Sequence, residues 1–236
     1  MGSKVEEKWF RGADTDVLAP LRAALGVSLG DSLFAGKNTI VAEGLSDRIL
    51  VSAILEYLGR KGVRKFEDLS NLEVLGGNGA PSLLNLALLL QIQNLPYLVL
   101  LDNDDEGRKA KESFPKSGIP QDNIIVLPSP PGSGQVDGDI EDLFPVEMFA
   151  AAFHRVHGAK MKVEYGQVLA VLGKGTGKLT NRAKAFLRER GSKYELDKTA
   201  IAYAIAGQLG SADSVPSEVQ ARFEALADLV GTRLKL

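Results

Sequence analysis

The 236-residue sequence predicts an α/β fold, a parallel sheet of about four strands flanked by helices, with an additional C-terminal helical region. Three observations carry that expectation. Between Asn38 and Pro128, short apolar runs alternate with helix-period segments, the pattern of strands covered on both faces. Four carboxylates, Glu43, Asp47, Asp102 and Asp104, follow two of those runs, at the edge where open parallel sheets bind ligands. Beyond Leu127 the texture changes to a Pro/Gly/Ser loop, an acidic stretch and a series of helical segments.

Taken in order, residues 1–36 read as a helical lead-in, 37–145 as the α/β core and 146–236 as a helical region on or beside it. Ile40 to Ala42 is the first expected strand. Ser46 to Lys61 follows as a helix with Ile49, Leu50, Ala53, Ile54, Tyr57 and Leu58 on one face. Leu72 to Leu75 is the second strand; after Gly76-Gly77-Asn78-Gly79 a helix opens at Pro81, a favoured first-turn residue. Tyr97 to Leu101 is the third strand, Glu106 to Phe114 the third helix, and Ile124 to Leu127 the fourth strand. Right-handed crossovers place every strand-to-helix loop of such a sheet on one edge. Downstream, helices are expected over Val146 to His157, Asn181 to Arg190, Asp197 to Gln208 and Ser217 to Leu234.

Composition narrows the chemistry. With 44% hydrophobic and 25% charged residues the chain is globular in character, and with no cysteine it can form neither disulfides nor thiolate metal sites. The longest strongly apolar stretch, Ser82 to Ile92, is too short to span a bilayer, so a soluble, cytoplasmic protein is expected. Met1-Gly2-Ser3 reads as a cloning remnant, and a fragment of something longer is expected. The net charge of −2 hides an asymmetry: Arg155 to Lys193 carries ten Lys/Arg against two acids. An acidic centre beside a basic segment is the electrostatic footprint of a metal-using enzyme that grips a polyanion.

Glu43 and Asp47 stand four apart across a strand-to-helix turn, with Gly44 and Ser46 suited to the turn and the cap. Acids are common in a first helical turn, so this pair alone has an ordinary explanation. Asp102-Asn103-Asp104-Asp105-Glu106-Gly107 is more specific, because alternate acids at a strand end point the same way and can share a cation. The Gly76–Gly79 loop shares that edge and suits either a phosphate or a tight turn. Gly173-Lys174-Gly175-Thr176-Gly177-Lys178-Leu179-Thr180 superficially looks like a phosphate-binding loop. Leu172 and Leu179 stand where the first glycine and the Mg²⁺-binding hydroxyl are needed, so it reads as a basic loop suited to contacting phosphates. His154 and His157, the only histidines, read as a solvent-exposed pair.

Together, Ala42-Glu43-Gly44-Leu45-Ser46-Asp47, Gly76-Gly77 and Leu101-Asp102-Asn103-Asp104-Asp105-Glu106-Gly107 resemble the toprim fold of topoisomerases, primases and several nucleases. Within it, Leu21-Arg22 through Gly26-Val27-Ser28, Ser32-Leu33-Phe34, Ile140-Glu141-Asp142-Leu143-Phe144-Pro145 and Lys198-Thr199-Ala200 resemble the OLD (overcoming lysogenization defect) nucleases. OLD proteins carry an N-terminal ATPase domain ahead of this region, so the resemblance is to the C-terminal nuclease half, with that ATPase domain as the expected partner.

The resemblance implies a DNA endonuclease or nickase using two Mg²⁺ or Mn²⁺ ions. Glu43, Asp102 and Asp104 would hold one ion. Asp47 and the acids around Glu141, Asp139 among them, would hold or orient the second. The choice among Asp137, Asp139, Glu141 and Asp142 stays open, with Glu141 the best fit to the motif. Lys198 would stabilise charge on the scissile phosphate, and Lys174, Lys178 and Arg182 would touch the DNA. The alternatives are a topoisomerase or primase fragment, for which none of the five tyrosines lies in a recognisable strand-passing domain, and a non-catalytic nucleic-acid-binding module. A phosphotransfer receiver or phosphatase would leave Glu43 and Asp47 without a task.

Overall fold

The computed structural model describes residues 38–63, 71–127 and 137–236. The lead-in expected over 1–36, with the motif residues between 21 and 34, and the loop at 128–134 lie outside the described residues.

Four parallel strands form the sheet: β1 (Asn38–Ala42), β2 (Leu72–Gly76), β3 (Tyr97–Leu101) and β4 (Ile124–Val126), in the order β2-β1-β3-β4. Helices α1 (Leu45–Arg60), α2 (Ala80–Ile92) and α3 (Asp105–Ser113) connect successive strands. This is the toprim-like sheet flanked by helices that the sequence predicts. The chain runs outward from β1 to β2, then crosses back to β3 on the other side of β1. The carboxyl ends of β1 and β3 therefore flank the point where the strand order reverses, where open α/β sheets form a crevice.

Side-chain alternation along the strands feeds two cores. Ile40, Leu98, Leu100 and Ile125 face α1, whereas Val41, Val99, Leu101 and Ile124 face α2 and α3. The apolar residues of α1 wrap further round the helix than a single stripe: Leu50, Val51, Ile54, Leu55, Tyr57 and Leu58 are all buried. The cause is a second covering layer. α4 (Val146–Phe153) runs on through a π turn (His154–Gly158) and a last α turn (Ala159–Met161), followed by α5 (Tyr165–Lys174), α6 (Leu179–Glu189), α7 (Lys198–Ser211) and α8 (Ser217–Leu234).

These helices share one apolar cluster with α1 and the sheet, so Phe149, Phe153, Phe186, Ile205 and Phe223 belong to the same core as Ile40 and Leu98. Phe223 packs edge-on against Tyr57 and Phe144, and the Tyr57 hydroxyl accepts the Val215 N–H at 3.2 Å. At the far end of the pair, Arg60 donates to the carbonyls of Leu209 and Gly210 at 2.8 and 2.6 Å, a cation closing the negative end of α7. α7 is thus held along α1, which brings its first residue, Lys198, to the carboxyl edge of the sheet. No helix among the described residues is long and apolar enough to cross a membrane.

The histidine expectation is overturned for His157. It is buried, tilted against Phe153 with ring centroids 5.0 Å apart, and its Nε2 lies 3.4 Å from the donating Asp197 nitrogen. The π turn adds a residue to the helical repeat and rotates the next turn of helix, so 3.6-residue spacing misplaces this side chain. His154 is half-buried, with Nε2 3.0 Å from the Val163 carbonyl.

Candidate metal centre

The end of β1 turns into α1 through Glu43 and Gly44, and the turn is closed by Asp47, whose Oδ2 accepts the Gly44 N–H at 2.7 Å. Oδ1 of Asp47 accepts the Ser46 hydroxyl at 3.2 Å. Ala42 and Leu100 are register partners, so Glu43 reaches across to the tip of β3, where its Oε1 accepts the Asp102 N–H at 2.9 Å. The strand pairing thus sets Glu43 beside Asp102.

After β3 the chain folds back on itself. Asp104 caps α3 by accepting the Gly107 N–H at 2.9 Å. A Cβ at Gly107 would lie 2.0 Å from the Asp102 carbonyl oxygen, so only glycine permits this return. Gly76, at the head of the Gly76–Gly79 loop, is needed for a similar reason. A Cβ on Gly76 would sit 2.8 Å from the Gly44 carbonyl oxygen, and the Gly77 and Gly79 amides bond the Ala42 and Glu43 carbonyls. Its backbone braces the β1 turn.

A third strand-end segment completes the cluster. Asn103 and Gly138 exchange backbone hydrogen bonds at 2.9 and 2.8 Å, tying residues 137–143 to the tip of β3. Asp137 turns away to Arg108 at 2.9 Å. Asp142 is engaged by two backbone amides, those of Asp139 and Leu179, each at 2.8 Å. Asp139 and Glu141 are the two that face the other acids. One carboxylate oxygen from each of Asp102, Asp104 and Asp139 lies within 4.8 Å of the others.

Two ammonium groups enter this cluster. Lys178 Nζ is 2.8 Å from Asp104 Oδ2 and pairs with Asp139 Oδ1, while Lys198 Nζ lies 3.2 Å from Glu141 Oε1 and 4.0 Å from Asp139 Oδ2. Thr180 donates to Asp139 Oδ2 at 2.6 Å. Lys178, Leu179 and Thr180, at the start of α6, therefore all serve the acids. Lys174 is exposed at the end of α5, and Arg182 donates to the carbonyls of Leu172 and Gly175, bracing the α5–α6 loop. Six of the ten sequence-predicted site residues, Glu43, Asp47, Asp102, Asp104, Asp139 and Glu141, are the acids of this centre. Lys198 and Lys178 join them, and Lys174 and Arg182 sit on the adjoining loop. Thr180 is the participant that sequence reasoning misses; only its place three residues before a helical apolar pattern hints at it.

The electrostatics are strained. Burial raises Asp102 well above the usual carboxylate range, and the charges of Asp47, Asp139, Glu43 and Glu141 push it further. Glu43 is raised by burial, in part offset by the Asp102 N–H. Burial carries Glu141 up to about 7 despite Lys198. Its Oε2 has no hydrogen-bond partner, and Oε1 faces Lys198 off the direction a hydrogen bond needs. Burial disfavours the Lys198 ammonium, yet Glu141 and Asp139 outweigh it and hold the lysine above its ordinary value. For Asp104, partial burial is outweighed by the Gly107 N–H and Lys178, so its carboxyl sits low.

Six carboxylates thus share the centre with two ammonium groups, and buried oxygens of Glu141 lack donors. An all-oxygen, acid-rich set of this kind fits a hard divalent cation such as Mg²⁺ or Mn²⁺. Cations would reverse the repulsion that raises these carboxyls.

No protein-family model and no curated protein matches the sequence. Two solved structures are similar to this chain, both C-terminal regions of OLD proteins, the family that the sequence resembles. The one from Burkholderia pseudomallei is 17% identical with a TM-score of 0.47, covering 83% of this chain and 98% of that one. The one from Xanthomonas campestris pv. campestris is 16% identical with a TM-score of 0.49, covering 85% and 96%.

Proposed function

We propose that the chain is a metal-dependent DNA nuclease domain of the OLD type, hydrolysing phosphodiester bonds with two divalent cations. The observation that carries this reading is the charge imbalance at the β1–β3 edge, six carboxylates against two ammonium groups, with Glu141 buried and its Oε2 without a hydrogen-bond partner. Two divalent cations would balance it. Asp102, Asp104 and Glu43 would hold one, and Asp47, Asp139 and Glu141 the other. When bound, such ions supply Lewis-acid stabilisation of the attacking and leaving oxygens and activation of water.

The protein's own groups do the rest. Glu43 and Asp104 are aimed by backbone N–H donors, so their geometry is set before any ligand arrives. Lys198 presents an ammonium at the edge of the cluster, where it can stabilise negative charge on a phosphate. Lys174 and the exposed α5–α6 loop offer contact to the phosphate backbone. No element for reading bases stands out among the described residues, so cleavage with little sequence preference is expected. In the full-length protein an N-terminal ATPase domain would stand ahead of this region.

The test is conversion of supercoiled plasmid to nicked or linear product in Mg²⁺, Mn²⁺ and Ca²⁺. Product in Mg²⁺ or Mn²⁺ that disappears with chelator is expected. Asp104→Ala should abolish it; because Asp104 also caps α3, at a cost of about 1 kcal/mol, Asp104→Asn serves as the fold-preserving companion. Nicking retained by both variants would overturn the reading.

A further inference from the structure

The cluster already holds a cation, and it is part of the chain. Lys178 Nζ lies between Asp104 Oδ2, at 2.8 Å, and Asp139 Oδ1, and these are two of the three residues whose oxygens converge most closely. Its side chain is only 11% exposed. We propose that Lys178 serves as the counterion of the centre whenever no metal is bound, and that a divalent ion binds by displacing its ammonium from Asp104 and Asp139. The inference rests on the metal-binding reading and adds a built-in competitor to it.

Three features support exchange over coexistence. An ion held by Asp104, or one held by Asp139, needs a carboxylate that Lys178 occupies, and cations a few ångströms apart repel. The chain just after Lys178 is anchored at the start of α6, since Leu179 N–H donates to Asp142 and Thr180 donates to Asp139. Only the flexible four-carbon stem has to move. The way out is open, because Gly175, Thr176 and Gly177 ahead of it are exposed. Lys198 is placed differently: it pairs with Glu141 and stands 4.0 Å from Asp139, so it is not the group in the way. A displaced Lys178 would swing toward the loop that carries Lys174, placing its charge where an incoming phosphate meets the protein.

Calorimetric titration of Mn²⁺ into the chain separates this inference from the metal-binding reading it rests on. Lys178→Met and Lys178→Gln, which remove the charge, should bind Mn²⁺ about tenfold more tightly or better, a gain of roughly 1.4 kcal/mol. In chelator both should melt lower than the parent, and Mn²⁺ should raise their melting temperatures by more. Lys178→Arg, which keeps the charge, should bind no more tightly than the parent. A parent that binds no Mn²⁺ while the neutral variants do would also support displacement. If the parent binds and the neutral variants bind equally or more weakly, the inference is overturned and metal binding stands. If none of them binds, both fall.

Discussion

The centre has two halves that are built in different ways. The strand-end half, Glu43, Asp47, Asp102 and Asp104, is set by backbone: three of its four carboxylates accept main-chain N–H groups at or beside a strand tip. The helical half, Asp139, Glu141, Lys178 and Lys198, is set by side chains that meet across long stretches of sequence: Thr180 and Lys178 on Asp139, Lys198 on Glu141. The first half is rigid wherever the sheet forms. The second depends on how α6 and α7 pack, and it carries the positive charges.

The largest effect should come from the most crowded member of the strand-end half. Asp102→Asn removes a buried charge that four neighbouring acids repel. Mn²⁺ affinity and plasmid cleavage should fall by more than the roughly 10–100-fold typical of losing a group that merely supports a metal ligand. Thermal stability in chelator should nevertheless hold or rise by about 1 kcal/mol, because the fold is relieved of repulsion. A loss of stability alongside the loss of binding would mean that Asp102 serves the fold more than a cation.

In the helical half, Lys198→Ala should reduce single-turnover cleavage by about 10²–10³-fold, the scale for removing one charge-stabilising donor. Mn²⁺ affinity should not fall, since an ammonium competes with metal for Glu141 and does not ligate it. Lys198→Arg should recover part of the rate. If Lys198→Ala instead weakens Mn²⁺ binding, the two halves do not divide the labour between charge stabilisation and metal binding.

Gly107→Ala tests whether the strand-end half is fixed by backbone. Its Cβ would collide with the Asp102 carbonyl, so the loop must shift and carry Asp104 with it. A loss of about 2–3 kcal/mol in melting experiments, together with weaker Mn²⁺ binding, is expected. A stable variant with unchanged affinity would show that the loop has more freedom than the contact implies.

The same division explains how much of the centre is legible in the sequence. Four strands and the acids at the tips of β1 and β3 follow from local patterns, because apolar runs and i,i+2 or i,i+4 spacing survive any tertiary arrangement. Choosing among the acids at 137–142 needs the structure. Asp142 is taken by the amides of Asp139 and Leu179, the latter brought in by a helix nearly forty residues away, and Asp137 pairs with Arg108. Lys178 reads as a loop lysine facing DNA, and nothing within its own segment points to Asp104. α5 is absent from the helices that the sequence predicts: Gly166 and Gly173 weaken its helical signal, while its start is fixed by Gln167 accepting the Glu164 N–H at 3.1 Å.

The smallest effect should distinguish the halves by pH. Lys198 begins α7, and the turn just before it rests on His157, whose Nε2 can accept the Asp197 N–H only when unprotonated. Burial, with Lys160 nearby, lowers His157 below its usual value, and Asp197 only partly offsets this. A histidine depressed in the fold contributes stability that is complete above its unfolded value, near 6.5, and is lost as pH falls through the folded value. Melts in chelator between pH 7.5 and 5 should show the parent losing about 1 kcal/mol more than His157→Gln. Amide exchange should place the acid-induced loosening at the start of α7 and leave the β1 and β3 tips protected. An identical pH profile in the variant, or loosening that begins at the strand tips, would remove His157 as the support of the helical half.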